Sequence, residues 1–468
     1  MLIAWLIASP AFAQDPPEEI EEEPVVEEEP PPPPPEVTRA DLQALEKRMQ
    51  ALERELAATK KELKREQQKK PPKTRQAPAT PVELDLSGYL HVDAVPYRAS
   101  SEDEIDPSTG DPLNSERFFI RRARLRAAIK RGIIAGDIEL DGNTVDGPTA
   151  RIVAGKLRVQ WPPHGEEQRW GIGAQMGLMK IPFGYEVPEE NLDQLFLERS
   201  TAAEAFFPGN YDLGVAVDGG YTGIRLILAA MNGAPSGEKQ FEARDPSGHY
   251  DLLARLSGNV SPIDWFEIEG GASALFGRGL HPGTAPTKDV LVWRDVNENG
   301  IVELTEIQAI PGVAGTPSET FERFGVGGHA TVRFTIPYLG RLMLLGEIIF
   351  AQNLDRAVYI ADPVALARDV RELGWLAGAR QEITKYAEIG VRYDRYNPDL
   401  DARDQQATIV PLDATVSTLA IAAAARWQPA RLIFEYDRRW NRFGRTSAGL
   451  PTTRRDDSFM IRGEVVFR

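Results

Sequence analysis

The chain has 468 residues, 42% of them hydrophobic, and 54 Lys+Arg against 70 Asp+Glu give a formal charge of -16. It contains no cysteine, which excludes disulfides, thiolate nucleophiles and cysteine metal sites and fits an envelope protein held by hydrogen bonds. No apolar run reaches the roughly 20 residues that a membrane-spanning helix requires.

The first residues, MLIAWLIASPAFAQ, combine a short apolar stretch with Ala11-Phe12-Ala13, a small-residue cleavage pattern that predicts export and a signal peptide over 1–13. No Lys or Arg precedes the apolar stretch, which implies that the natural start lies a few basic residues upstream. Residues 14–37 then form an acidic spacer with six consecutive prolines, a composition that buries no core and stays extended or disordered.

Thr38 is a plausible helix N-cap, with Asp41 three residues on. Leu42, Leu45, Met49, Leu52, Leu56, Thr59 and Leu63 come next at alternating spacings of three and four, a heptad seam of about three heptads that predicts a coiled coil over 38–68. The alternative is a single amphipathic helix lying on the barrel or on peptidoglycan. A basic, Pro-containing linker over 69–81 separates this module from the strand-forming remainder of the chain.

From Val82 onward the hydrophobic period is two. Strands are expected near 82–96, 117–130, 133–142, 149–161, 168–180, 212–219, 222–231, 248–258, 263–276, 323–336, 341–352, 371–380, 384–396, 414–427, 431–442 and 457–468. Their connections alternate short and mostly long, as the periplasmic turns and external loops of bacterial outer-membrane barrels do. The fold class is therefore all-β: a 16-stranded antiparallel transmembrane β-barrel over 82–468, located in the bacterial outer membrane. The closing strand SFMIRGEVVFR is apolar on its outer face, although it ends on Arg468 rather than on an aromatic.

The second strand, FFIRRARLRAAIK, places Arg122, Arg124, Arg126 and Lys130 on one face and Phe119, Ala123, Leu125, Ala127 and Ile129 on the other. Residues two apart on a strand stand roughly 6.6 Å apart, so the arginines make a ladder suited to anions. By the same parity Lys156, Arg158 and Arg169 face the lumen. So do acids, including Asp137, Glu139 and Asp141 on the strand next to the ladder, which are placed to neutralise it.

GLMKIPFGYEVPEENLDQLFLERSTAAEAFFPGNYDLGVAVDG (177–219), with FFIRRARLR before it and GWLAGAR and YAEIGVRYDRYNPD (374–399) after it, resembles the phosphate-selective porin O and P family over roughly 82–468. The resemblance implies a homotrimeric outer-membrane channel, arginines lining the pore, and an external segment folded inward. Its solutes would be small anions, phosphate or polyphosphate. The segment 181–211 is the constriction candidate, with a helix-like EENLDQLFLERS stretch carrying Glu198 and Arg199 and apolar residues that need something to pack on.

Asp295, Asn297, Asn299, Gly300, Ile301, Glu303 and Glu306 fit the calcium-loop pattern D-x-[DN]-x-[DN]-G-x5-E without flanking helices, which predicts an isolated calcium site in the 277–322 external loop; the alternative is a polar turn. The five histidines are scattered, with no HExxH and no nucleophile elbow, so an enzyme is not expected, and nothing points to nucleic acid. Besides the anion channel, a weakly selective general porin and a plugged barrel serving as a structural or adhesive anchor remain open.

Overall fold

The computed structural model describes residues 47–51, 53–61, 82–95, 117–145, 147–163, 169–238, 247–402, 415–441, 444–445, 451–452 and 457–467. The signal peptide, the spacer, the linker and both ends of the expected coiled coil lie outside them. The chain divides into two units, Met1–Ala79 and Thr80–Arg468. In the first, residues 47–51 and 53–61 are helical (α1), and Met49 and Leu56 of the apolar seam are both exposed.

The second unit contains, in order, β1 (Glu83–Val95), β2 (Arg117–Arg131), β3 (Ile134–Asn143), β4 (Thr149–Trp161), β5 (Trp170–Lys180), α2 (Thr201–Phe206), β6 (Tyr211–Tyr221), β7 (Ile224–Met231), β8 (Asp251–Ile263) and β9 (Phe266–His281). It continues with β10 (Val290–Trp293), β11 (Ile307–Ile310), β12 (Glu319–Ile336), β13 (Gly340–Gln352), α3 (Pro363–Leu366), β14 (Arg371–Thr384), β15 (Ala387–Asn397), β16 (Val416–Trp427) and β17 (Ala430–Trp440). Two-residue β18 (Gly444–Arg445) and β19 (Pro451–Thr452) precede β20 (Ser458–Phe467).

Sixteen of these strands, β1–β9, β12–β17 and β20, form one closed antiparallel barrel, with β20 returning to pair with β1 from Gly88↔Phe467 to Ala94↔Ile461. Closure removes every sheet edge, and that is what lets a sheet cross lipid without unpaired backbone groups. The period-two pattern supplies the rest. Leu84, Leu86, Leu125, Ile129, Leu157, Ile172 and Met176 stand exposed on the outside, and Trp161, Trp170, Tyr221, Trp265, Tyr386 and Trp427 ring the end where the strand connections are short. An apolar wall bounded by an aromatic girdle places this barrel in the bacterial outer membrane, short turns toward the periplasm.

One strand departs from simple alternation. His91 pairs with Arg122 but Val92 pairs with Ile120, so Arg121 is an extra residue on β2. Such a bulge reverses the facing of everything on one side of it. Phe119, expected on the outer face with Ala123 and Leu125, is instead turned inward and buried, while Phe118 and Ile120 are exposed. Arg121 joins the lumen side.

Candidate functional site

The segment 181–210, between β5 and β6, lies inside the barrel. Ile181, Phe183, Val187, Phe206 and Phe207 bury against the inner-wall residues Ala216, Ala229, Met231, Leu253, Leu275, Ile349, Ala351 and Tyr396. Leu195 and Leu197 reach the opposite side and pack on Val95, Phe119, Ala422, Ala424, Ile433 and Met460. The apolar residues that made full exposure implausible are thus satisfied at two separate places. Glycines on the wall permit the approach: a Cβ on Gly374 would fall 2.2 Å from Ala202 Cβ, and one on Gly390 would fall 2.5 Å from Leu195.

Backbone groups carried into the lumen need partners, and charged wall residues supply them. The Glu347 carboxylate accepts from the N–H groups of Tyr185 (2.9 Å) and Glu186 (3.2 Å), and Glu435 accepts from Leu197 (2.6 Å). Arg255 donates to the Gly184 carbonyl (2.9 Å), Arg431 to that of Gln194 (2.8 Å), and Arg392 to that of Glu198 (2.8 Å). All of these wall residues stand on barrel strands, and nothing in their own strands signals that they hold a loop. The EENLDQLFLERS stretch is not helical. It forms turns, and the helix α2 begins only at Thr201, with Ser200 as N-cap.

Glu198 meets Arg121 in an ion pair. Arg199 turns back into the loop, donating to the Glu186 and Glu189 carbonyls and to Asn191 Oδ1, so it fastens the segment. Burial tends to raise the Glu198 carboxyl, but Arg121, Arg462 and Arg122 outweigh it and hold the group below its ordinary range. At Glu189, burial dominates over Arg380 and pushes the carboxyl up to about 7.

Strands β3 and β4 contribute no residue to either apolar cluster, and at the end of the adjacent β5 Lys180 meets Glu190 of the loop at 3.0 Å. Here stand the ladder residues. Arg124 donates to Glu139 (2.8 Å) and to the Tyr211 hydroxyl (3.2 Å), with Asp141 3.7 Å away. Asp137 lies between Arg126 (3.6 Å) and Lys156 (3.9 Å). Arg158 grips Asp218 through two bonds of 2.6 and 3.0 Å. Lys130 is exposed near the periplasmic end of β2, and Arg169 precedes β5 in a recess of about 660 Å³ beside Arg158 and Asp218, which no ladder residue lines. Within the ladder Arg122 and Lys130 make no ion pair with a carboxylate among the described residues; the charged neighbours of Arg122 include Arg121, Arg124 and Arg462, and it lies near enough to Glu198 to help lower that carboxyl.

Below the loop a cavity of about 1070 Å³ opens toward the short turns, lined by Arg255, Arg333, Arg380, Arg426 and Arg431 together with Glu189, Glu269, Glu388 and Glu464. Glu388 collects Arg380 (2.9 Å), Arg426 and, at 3.6 Å, Arg431.

Outside the barrel, β10 and β11 form a hairpin with the 295–306 loop at its tip. Asp295 accepts from the Asn299 and Gly300 amides, Asn297 from Asn299, and Asn299 from Ile301, while Gly300 has φ +71°. Asn299 Nδ2 donates to Glu303, and Glu306 accepts from Trp293 Nε1 and the Val296 amide. Among the described residues no three His, Asp or Glu side chains converge as a metal set.

A closed barrel, an apolar exterior and a loop folded into a charged lumen define an outer-membrane β-barrel of the porin type. The outer membrane channel DcaP of Acinetobacter baumannii shares this fold, with a TM-score of 0.50 and 14% identity over 82% of this chain and 97% of that one. The trimer form of OmpT from Vibrio cholerae aligns with a TM-score of 0.47 and 10% identity over 82% and 99%. An anion-selective porin from Comamonas acidovorans gives 0.46 and 8% over 83% and 100%. No family model and no curated protein matches the chain.

Proposed function

We propose that this protein is a water-filled channel for passive diffusion of small anions, phosphate or polyphosphate among them, working as a homotrimer. The observation that carries the reading is Arg122, a lumen guanidinium in no direct ion pair among the described residues, flanked by Arg121 and Arg124. In a narrow, low-dielectric passage such a group attracts anions and offers bidentate bonds to an oxyanion. The resemblance of residues 177–219 to the phosphate-selective porins supports the same solute class.

The test is the reversal potential of single channels in KCl and phosphate gradients, for the wild type and for Arg122→Ala. A shift toward cation permeability in the variant supports the reading, and an unchanged potential points to a weakly selective porin, which the pairing of Arg124, Arg126 and Arg158 with acids favours. Absence of conductance in the wild type would instead support the anchoring role, which the loop's contacts with both walls favour.

A further inference from the structure

The outer wall carries charge where lipid should meet it. Arg395 on β15 and Arg438 on β17 both point outward and are exposed, each two residues before the end of its strand. Those ends lead into the connections 398–415 and 441–457, which lie opposite the short turns and so on the extracellular side. At roughly 3.3 Å per residue the two arginines sit about 7 Å inside the strand ends, at the depth of lipid head groups.

Cross-strand neighbours define the patch. Arg395 pairs with Trp375 on one side and Ser417 on the other, and Ser417 pairs with Trp440. Arg438 pairs with Leu419, which pairs with Tyr393. The Arg438 guanidinium stands 5.5 Å from the centre of the Trp440 ring, and Trp375 and Tyr393 meet at 5.5 Å. One strand, β16, lies between the arginines, a separation of two strand spacings or roughly 10 Å across the sheet, and its Ser417 is buried although it faces outward.

Other outward arginines near this rim are balanced: Arg278 by Glu322 and Arg371 by Asp401. Arg395 and Arg438 have no carboxylate partner among the described residues. Aromatic side chains at this depth anchor a barrel in the head-group layer, and unpaired guanidiniums beside them complement anionic phosphate.

We propose that the β15–β17 face binds the phosphate-bearing head group of an outer-leaflet lipid, Arg395 and Arg438 gripping its phosphates while Trp375, Tyr393 and Trp440 pack against its acyl-proximal part. The site is independent of whatever passes through the lumen.

The test uses the full-length protein in dodecyl maltoside, titrated with diphosphoryl lipid A, with the same lipid fully dephosphorylated, and with inorganic phosphate. Thermal unfolding is followed by circular dichroism and retained lipid by native mass spectrometry. Diphosphoryl lipid A should raise the unfolding midpoint and stay bound, the other two should not, and R395Q/R438Q should bind it roughly thirty-fold more weakly. Equal stabilisation by the dephosphorylated lipid overturns the proposal, since acyl chains alone would then suffice; this comparison needs only the wild type and stands even if the variant fails to fold. Equal stabilisation by inorganic phosphate also overturns it. So does a double variant that loses subunits while its lipid response stays intact, which would assign the arginines to a contact between copies of the chain.

Discussion

Arg121 of the barrel wall forms an ion pair with Glu198 of the inward loop, and it does so because a one-residue bulge in β2 turns it out of the lipid-facing register. Without that bulge Arg121 would face the membrane, where an arginine costs about 2–4 kcal/mol near the midplane. The same displacement turns Phe119 inward, where it packs in the cluster that receives Leu195 and Leu197. One inserted residue thus supplies both a charged and an apolar anchor for the loop.

The two loop carboxylates respond to pH in opposite senses. Glu198 is held below its ordinary value of 4.5, so its contribution to docking is present above that value and fades only as acid protonates it. Glu189 is raised by burial to about 7, so its contribution is complete below 4.5 and fades as pH rises through 7. Docking is therefore expected to be tightest in weak acid. Open-channel current noise should increase between pH 5 and pH 8, and Glu189→Gln should abolish that increase while leaving the response below pH 4 intact. Noise that is unchanged across pH 5 to 8 in the wild type would refute this assignment.

Ladder charges held in ion pairs should matter less than Arg122, which is held in none among the described residues. Arg126→Ala removes a cation 3.6 Å from Asp137, so it should shift the reversal potential less than Arg122→Ala. Conversely, Asp137→Asn and Glu139→Gln together free Arg126 and Lys156, leave Arg124 only Asp141, and should raise anion preference severalfold. Reversal potentials in a tenfold KCl gradient measure both, and a lack of response to the acid substitutions would mean that these pairs lie off the ion path.

Strand count, loop alternation and lumen parity were legible because a sheet with one face in lipid and one in water imposes a period of two on every strand, as in Trp170, Ile172, Ala174 and Met176. The bulge at Arg121 was not, since FFIRRARLR reads equally well with either phase at its start and only pairing with β1 selects one. Nor was the role of Glu347 or Arg431, whose partners are backbone groups of the loop about 160 and 240 residues away in sequence. Sequence parity identifies a wall residue's side but not what crosses the lumen to meet it.

The loop should be removable from the wall by truncating its apolar anchors. Phe183 and Phe207 are fully buried and their rings meet at 4.8 Å. Phe183→Ala or Phe207→Ala each costs about 3–5 kcal/mol of local packing, enough to undock the segment while the hydrogen-bonded barrel persists. Single-channel conductance should rise and fluctuate, with heat-modifiable migration of the barrel unchanged. Conductance equal to wild type would show that this cluster does not limit the passage.

Calcium should protect the 277–322 loop from proteolysis, because Asp295, Asn297 and Asn299 already direct oxygens around one tight turn and Glu306 can supply two more. Occupancy requires the Glu306 carboxylate to leave Trp293 and the Val296 amide, so affinity should be in the weak, extracellular range. Glu306→Gln should abolish protection. Equal cleavage in millimolar calcium and in chelator would leave a self-satisfied polar turn.

Deleting residues 38–66 should leave a barrel that still inserts and conducts, because the Lys- and Pro-rich linker over 69–81 isolates the helical module in sequence. The exposed Met49 and Leu56 of α1 offer a seam with no apolar cover among the described residues. Three heptads are marginal alone, so the isolated peptide should be largely unfolded at micromolar concentration. When barrels already hold three copies close, the effective concentration rises to the millimolar range and the same seam can pair. The deletion variant's oligomers should therefore dissociate at a lower temperature in detergent than those of the wild type. Identical dissociation temperatures would make the helix a spacer or a peptidoglycan contact, since a seam that pairs must add to the heat that separates the chains.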